Sequence, residues 1–400
     1  TLLSGAESDE RGSITVSTSL ENINTKSTGR KLTLFASEDI FVNQPISSTG
    51  GPLNVRLMAQ GDIEVNANIT TAGGDFEVQG SNNEGEFDNS NPASGSAGSF
   101  LLNTGITIDT TGSSAAAGGN VSIKTSVRST SVNPTTDGDI DIKGDIITSG
   151  GTATGVGQAG GSVTLNAGLD AAGNTAGTIT IHEGADITTT GSAAASGSTA
   201  NGGAGGAVTM DTNGETIVLK DTTITTTGGA KDGTGTSAGA GGTITFSDNV
   251  SLSDGDSGGV VLTSGATAGN VVFSGTVDGG TTLSLTSGTG SLSLGGILGG
   301  GTELTGLTIS GPAITLSNNI SIDGNFETSA PVTLGANITI DTNHAGTDGS
   351  ITFNSTIDGN STLTLDSGSG AIALQGVIGG STQLSGLSIN ATDGDDGDIE

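Results

Sequence analysis

The chain has no cysteine, no tryptophan and no tyrosine among its 400 residues. Without thiols there is no disulfide framework, no thiolate metal site and no thiol redox chemistry. Without Trp or Tyr there are none of the aromatic platforms that sugar-cleaving clefts generally use, and all nine aromatic residues are Phe. Basic residues are scarce too. Ten Lys and Arg stand against 41 Asp and Glu, giving a net charge of −31, and all ten lie between Arg11 and Lys231. Proteins that grip nucleic acid neutralise phosphates with clustered Lys and Arg, so nucleic-acid binding is excluded. Anionic membrane surfaces are disfavoured for the same reason, and no apolar run approaches the roughly 18 residues of a membrane helix.

Glycine is what the chain has in quantity, 72 residues, whereas Leu, Ile, Val and Phe together number 89. That is about the aliphatic level below which a highly charged chain stays disordered. Order must therefore come from periodicity, and periodicity is present. GDIEVNANITTAGG (61–74) and GDIDIKGDIITSGG (138–151) agree at seven of fourteen positions. The same phrase returns as GTITIHEGADITTTG (177–191) and ETIVLKDTTITTTGG (215–229), with GITIDTTG (105–112) between the first two. Ile140, Ile179 and Ile217 are spaced by 39 and 38 residues, read here as two coils of about 19 each. Further on, residues 270–310 and 350–390 align without gaps, 19 of 41 positions identical, at an offset of 80. At twenty residues per coil that offset is four coils.

Triplets such as Ile179-Thr180-Ile181 and Leu363-Thr364-Leu365 place two apolar side chains on one face and a polar one on the other, which is strand periodicity. Gly, Asn, Asp and Ser fill the breaks, where turns need them. All six Pro (Pro45, Pro52, Pro92, Pro134, Pro312, Pro331) fall in or beside breaks, as strand interiors require. No apolar i, i+3, i+4 pattern survives ten residues, so no helix is expected. Short strands at a fixed period predict an all-β fold: a parallel right-handed β-solenoid of 19–20 residues per coil, about twenty coils, stacked about 4.8 Å apart. Residues 1–250 form a first region, with Gly/Ala/Ser stretches at 112–119, 150–161, 192–206 and 229–242; residues 251–400 continue the rod with the duplication. If those stretches leave at equivalent corners, they stack into a comb along one edge.

GGPLNVRLMAQGDIEVNANITTAGGDFEVQG (50–80), AGTITIHEGADITTTG (176–191) and GAGGTITFSD (239–248) resemble the large filamentous-haemagglutinin-like exoproteins of bacteria. The 80-residue repeat is similar to modules of giant repetitive surface adhesins. The resemblance implies a β-helical shaft, secreted and held at the cell surface, serving adhesion or envelope architecture. Its partners would be neighbouring segments of a longer chain, copies in a homotypic fibre, or surface glycans and other cells. Thr1 at the start and GDIE at the end read as cuts from something longer.

Catalytic chemistry finds little support. Glycoside cleavage wants two converging carboxylates, and acidic-sugar lyases want basic residues that the last 169 positions lack. His182 and His344, the only histidines, are expected some eight coils apart. His182-Glu183 lacks the second His of H-E-x-x-H. GVGQAG (155–160) precedes a strand instead of opening a helix, so it reads as a loop. Thr188–Thr190, Thr222–Thr223 and Thr225–Thr227 resemble the threonine ladders by which some β-solenoids bind ice, but long insertions are expected to interrupt the rows, and they are assigned to ordinary solvated strands. Eight N-x-S/T sequons (Asn68, Asn120, Asn249, Asn319, Asn337, Asn354, Asn360, Asn390) are expected by chance in so Asn- and Thr-rich a chain.

No cofactor is called for. Calcium is the one ion with a case, because Asp254, Asp256, Asp393, Asp395 and Asp398 sit in tight turns rich in oxygen ligands. No calcium-roll nonapeptide is in register, and turn-forming Asp is the simpler reading. The expectation is a non-enzymatic shaft, with a calcium-stabilised fibre module as the alternative and a carbohydrate-active β-helix more distant.

Overall fold

The computed structural model describes residues 2–4, 12–24, 28–80, 98–126, 138–168, 176–233, 235, 237–253, 258–265, 267–344 and 348–391. Among these there is no helix, and every pairing between strands is parallel. The chain winds through three faces in turn. In one coil it passes Leu53–Ala59 on the first face, Ile63–Val65 on the second and Ile69–Thr70 on the third. The next coil begins at Phe76–Gly80, back on the first face and paired with Leu53–Ala59. This is the parallel β-solenoid that the strand triplets predict.

The core follows from the triplets. Ile63, Val65, Ile140, Ile142, Ile179 and Ile181 stack in register and are buried, while Glu64, Asp141 and Thr180 between them point outward. Leu283, Leu285, Leu363 and Leu365 are buried in the same column system. Each buried aliphatic or aromatic side chain is worth roughly 1.5–3 kcal/mol relative to exposure. One to four per face in each coil let a chain poor in aliphatics build a continuous core. Phe246 and Phe273, one coil apart, stack with ring centroids 4.9 Å apart.

The coil length differs from the 19–20 expected. Ile140 pairs with Ile179 and Ile179 with Ile217, so the 38–39-residue repeat is one coil and not two. The two strand beats inside it, such as Ile140–Ile142 and Asp145–Ile147, are successive faces of a single turn. The excess residues are shared between the corner from the third face to the first, as at 148–162, and the passage from the first face to the second, as between Val163–Gly168 and Ile179–Ile181. Beyond residue 270 coils shorten: Phe273 pairs with Leu294 and Thr315 with Thr333. The first face therefore holds thirteen strands, with Ile378 bridged beneath the last. Thirteen steps between those levels span about 60 Å, not the length of twenty coils.

The 80-residue duplication is placed unexpectedly. Val271–Phe273 lies on the first face, paired with Ile244–Phe246, but its copy Ile351–Phe353 lies on the third, paired with Phe326 to Thr328. Thr282–Thr286 lies on the third face and its copy Thr362–Asp366 on the second. Eleven face-to-face steps separate the copies, so 80 residues make three and two-thirds turns of about 22 residues. Four whole coils, the expectation from twenty per coil, is corrected. The same sequence packs on different faces because beyond residue 270 all three present the same short I-x-I or L-x-L strands.

Candidate functional site

Among the described residues the largest departure from a plain solenoid is the set of insertions between third and first faces. Each neck is closed by a buried hydroxyl. Thr110 Oγ1 donates to the Gly119 carbonyl (2.6 Å), Thr189 to Gly206 (2.5 Å) and Thr226 to Gly242 (2.7 Å). Thr148 to Gly161 completes the series, and all four threonines are fully buried. The separations between hydroxyl and carbonyl describe the outline: 3 residues at Thr71–Gly74, then 9, 13, 17 and 16, then 5 at Ser264–Gly269. The insertions therefore form a tapered fin, tallest at its middle layers.

The fin is ordered mainly by backbone, with a few side-chain bonds such as Gln158 N–H to Ser192 Oγ (2.8 Å) and Ser237 N–H to Asn201 Oδ1 (3.0 Å). Successive layers bond through Ala115 N–H to Thr152 O (2.8 Å), Gly160 N–H to Ala204 O (2.8 Å) and Gly205 N–H to Ala240 O (2.8 Å). Outgoing and returning limbs also bond, Gly203 N–H to Ser192 O at 2.9 Å and Gly239 N–H to Gly229 O at 2.8 Å. This lateral bonding of extended chains requires contact too close for a side chain. A Cβ on Gly206 would lie 1.9 Å from the Gly161 carbonyl oxygen, and one on Gly203 2.0 Å from that of Gln158. Glycine is present because only glycine fits. The comb expected from the sequence exists, and GVGQAG (155–160) lies within it, with Val156 60% exposed. Lys231 and Asp232 are the only charged residues in 110–119, 148–161, 189–206 and 226–242. A neutral fin thus stands on an acidic shaft.

The second feature escaped the sequence reading. At each corner an Asp or Asn just before a strand accepts the backbone N–H of its counterpart one coil on. Asp62 N–H donates to Asp39 Oδ1 (2.9 Å), Thr178 to Asp139 (2.7 Å) and Asp186 to Asp145 (3.0 Å). Asn serves equally: Thr276 N–H to Asn249 (2.9 Å), Thr339 to Asn319 (2.9 Å) and Thr362 to Asn337 (2.9 Å). The signal was the recurring [D/N]-[I/V/F] dipeptide at strand starts. It also accounts for sequons, because Asn68, Asn120, Asn249, Asn319 and Asn337 are all such acceptors. The Ser or Thr two positions on is an outward strand residue. Asp358 is held below the usual carboxylate range by the Thr382 and Ser381 N–H groups, and Asp348 by the Ser369 hydroxyl and N–H. Asp232, in the fin, is lowered by the N–H groups of Thr199 and Gly233.

The other candidates separate. His182 Nε2 meets Asp141 Oδ1 at 2.8 Å, and His344 lies 3.6 Å from Glu303 and 3.1 Å from Ser321 Oγ. Six coils, about 29 Å, lie between the histidines, so no His pair forms. Glu183 is exposed on a corner. Thr188, Thr225, Thr263 and Thr286 stack in register on the third face. The insertions leave beyond that row and do not interrupt it, contrary to expectation. The calcium candidates Asp254, Asp256, Asp393, Asp395 and Asp398 lie outside the described residues. Among the described residues no three His, Asp or Glu side chains come together as a metal centre. Comparisons with protein-family models, curated proteins and solved structures give no match.

Proposed function

We propose that the chain is a structural shaft segment of a secreted bacterial cell-surface adhesin or fibre protein, spacing or displaying what it carries and performing no catalysis. The duplication carries this reading. Its two copies keep Leu283/Leu363, Leu285/Leu365, Leu307/Leu387 and Ile309/Ile389 while moving to different faces, so packing residues are retained and no fixed side of the rod is. A solenoid whose coils contact only neighbours lengthens without remaking a core. A catalytic site needs groups held within about half an ångström, which such lengthening does not supply. The strong negative charge keeps shafts soluble and mutually repelling. The neutral fin is the part of the flank that repels least, and is where glycans or other cells would be met.

A glycan-array and polysaccharide-degradation screen on the purified chain tests this. No release of reducing ends is expected, and no saturable micromolar binding by the region after Lys231; observing either release or such binding defeats the spacer reading. A calcium-dependent fibre module is the other reading to exclude. The corner carboxylates already accept N–H groups, so a chelator should lower the melting temperature by only a few degrees, the size of general screening of a highly charged surface.

A further inference from the structure

Glu303, Ser321 and Asp341 are neighbours on three successive coils, because Leu304 pairs with Ile322 and Ser321 with Asp341. Just beyond Asp341 the corner is extended. Thr342 closes on Gly349 at a separation of 7 residues, whereas Ser367, its counterpart one coil on, closes on Gly370 at a separation of 3. The extension begins with Asn343, whose N–H donates to Asp341 Oδ1 (3.0 Å), and continues with His344. The His344 N–H bonds the Asp348 carboxylate, itself held by the Ser369 N–H (2.8 Å) and hydroxyl (2.7 Å). So anchored, the imidazole turns back over Ser321. Its Nε2 lies 3.1 Å from Ser321 Oγ and its Nδ1 lies 3.6 Å from Glu303 Oε1. The ring is 21% exposed, so a small molecule can reach the pair.

We propose that Ser321 is an acyl-acceptor site, a hydroxyl primed to take one acyl group from an activated ester. The arrangement is that of a nucleophile, its base and an orienting third group. The Glu303 carboxylate favours the proton on Nδ1, which leaves the Nε2 lone pair to the hydroxyl. Ser321 Oγ attacks the acyl carbonyl as its proton passes to Nε2. The Oγ–C bond forms, the bond from the acyl carbon to the leaving alkoxide breaks, and the leaving group departs with the proton that His344 returns. No oxidant or reductant takes part. Two observations limit the donor. The Ser321 N–H, which could help hold the developing oxyanion, is committed to the Leu298 carbonyl (2.9 Å). One such donor is worth about a hundredfold or more in rate. The site therefore suits reactive esters, not amides or glycosidic bonds, and it keeps the acyl group instead of turning over. No Lys or Arg follows Lys231, so anionic donors such as acyl phosphates are repelled. Ile297, 43% exposed, adjoins Leu298, whose partner is Ile320, and offers an acyl chain an apolar surface. The second copy of the duplication has Gln383 where the first has Glu303, so lengthening carried the packing leucines and not this group.

This goes beyond the shaft reading and leaves it standing, since a single modification is not turnover. The test incubates the purified full chain with p-nitrophenyl acetate and follows p-nitrophenol release, intact mass and peptide mapping. A burst of about one equivalent is expected, with the acetyl group on Ser321. Ser321→Ala should abolish the burst. His344→Ala should slow acetylation of Ser321 about a hundredfold or more, and added imidazole should restore it, which loss of fold would not allow. Glu303→Gln should slow it less, and Glu303→Asp should recover part of the rate. Circular dichroism spectra of all four variants should match wild type; should Ser321→Ala disturb folding, mapping of the acetyl group on the wild-type chain carries the assignment. No burst, or acetylation confined to lysines, overturns the proposal. So does release that continues past one equivalent above the Ser321→Ala blank, or a burst that Ser321→Ala and His344→Ala both leave within about twofold of wild type.

Discussion

The finned coils between Phe100 and Phe246 and the plain coils after Asn270 share one core and solve the corner differently. In the finned region the chain departs for up to 17 residues between a threonine and the glycine whose carbonyl it holds. In the plain region the same closure takes three, as in Ser287 to Gly290. The core is indifferent to what happens at its corners, because each face needs only a short apolar triplet and each corner only a hydroxyl and an Asn or Asp. Order in the fin comes mainly from glycine contacts and backbone bonds, with a few Ser, Asn and Asp acceptors; order in the plain coils comes from burial. Substitutions should therefore act by different mechanisms in the two regions.

The largest effect is expected where burial dominates. Leu307→Ala should cost about 2–4 kcal/mol, as for other buried leucines. Leu387→Ala, at the equivalent repeat position but 41% exposed, should cost under about 1 kcal/mol in the monomer. Urea melts at low protein concentration check the pair, and equal costs would break the distinction. Next comes the fin. Gly206→Ala forces a methyl against the Gly161 carbonyl and should cost about 1–3 kcal/mol, whereas Gly280→Ala, with nothing within 4 Å of the added carbon, should be neutral. Smaller again is Thr189→Val, which strands the Gly206 carbonyl for about 1–2 kcal/mol; hydrogen exchange should quicken across 190–206 and leave the coils after 270 unchanged. The smallest effect concerns acid. Asp348 and Asp358 have depressed folded-state values, so their contribution is present above the ordinary Asp value near 4 and is lost as pH falls through the depressed ones. Asp358→Asn should flatten the acid limb of a melting-temperature profile slightly and leave neutral pH nearly unchanged.

The strand class was legible because Ile179-Thr180-Ile181 and its relatives carry period two on their face. Coil length was not, because Ile140–Ile142 and Asp145–Ile147 look like two coils when the third strand, Val163–Gly168, lies beyond a glycine stretch. Length along the chain and height along the rod part company wherever a corner is extended. The comb was legible from its glycine pairs, but the clamp was not, since Thr189 and Gly206 are linked only once the neck closes. The corner acceptors were visible as Asp-Ile and Asn-Ile dipeptides. Their role needs the coil above, which composition does not reveal.

The fractional turn of the duplication has a mechanical consequence. A unit of three and two-thirds turns acts like a key: adding or deleting one rotates whatever the shaft carries beyond it by 120° as well as moving it about 18 Å along the axis. Three units restore the original heading. A lineage that gains or loses single units therefore re-aims its distal end each time, and variants differing by one unit would present a different flank to the same neighbour.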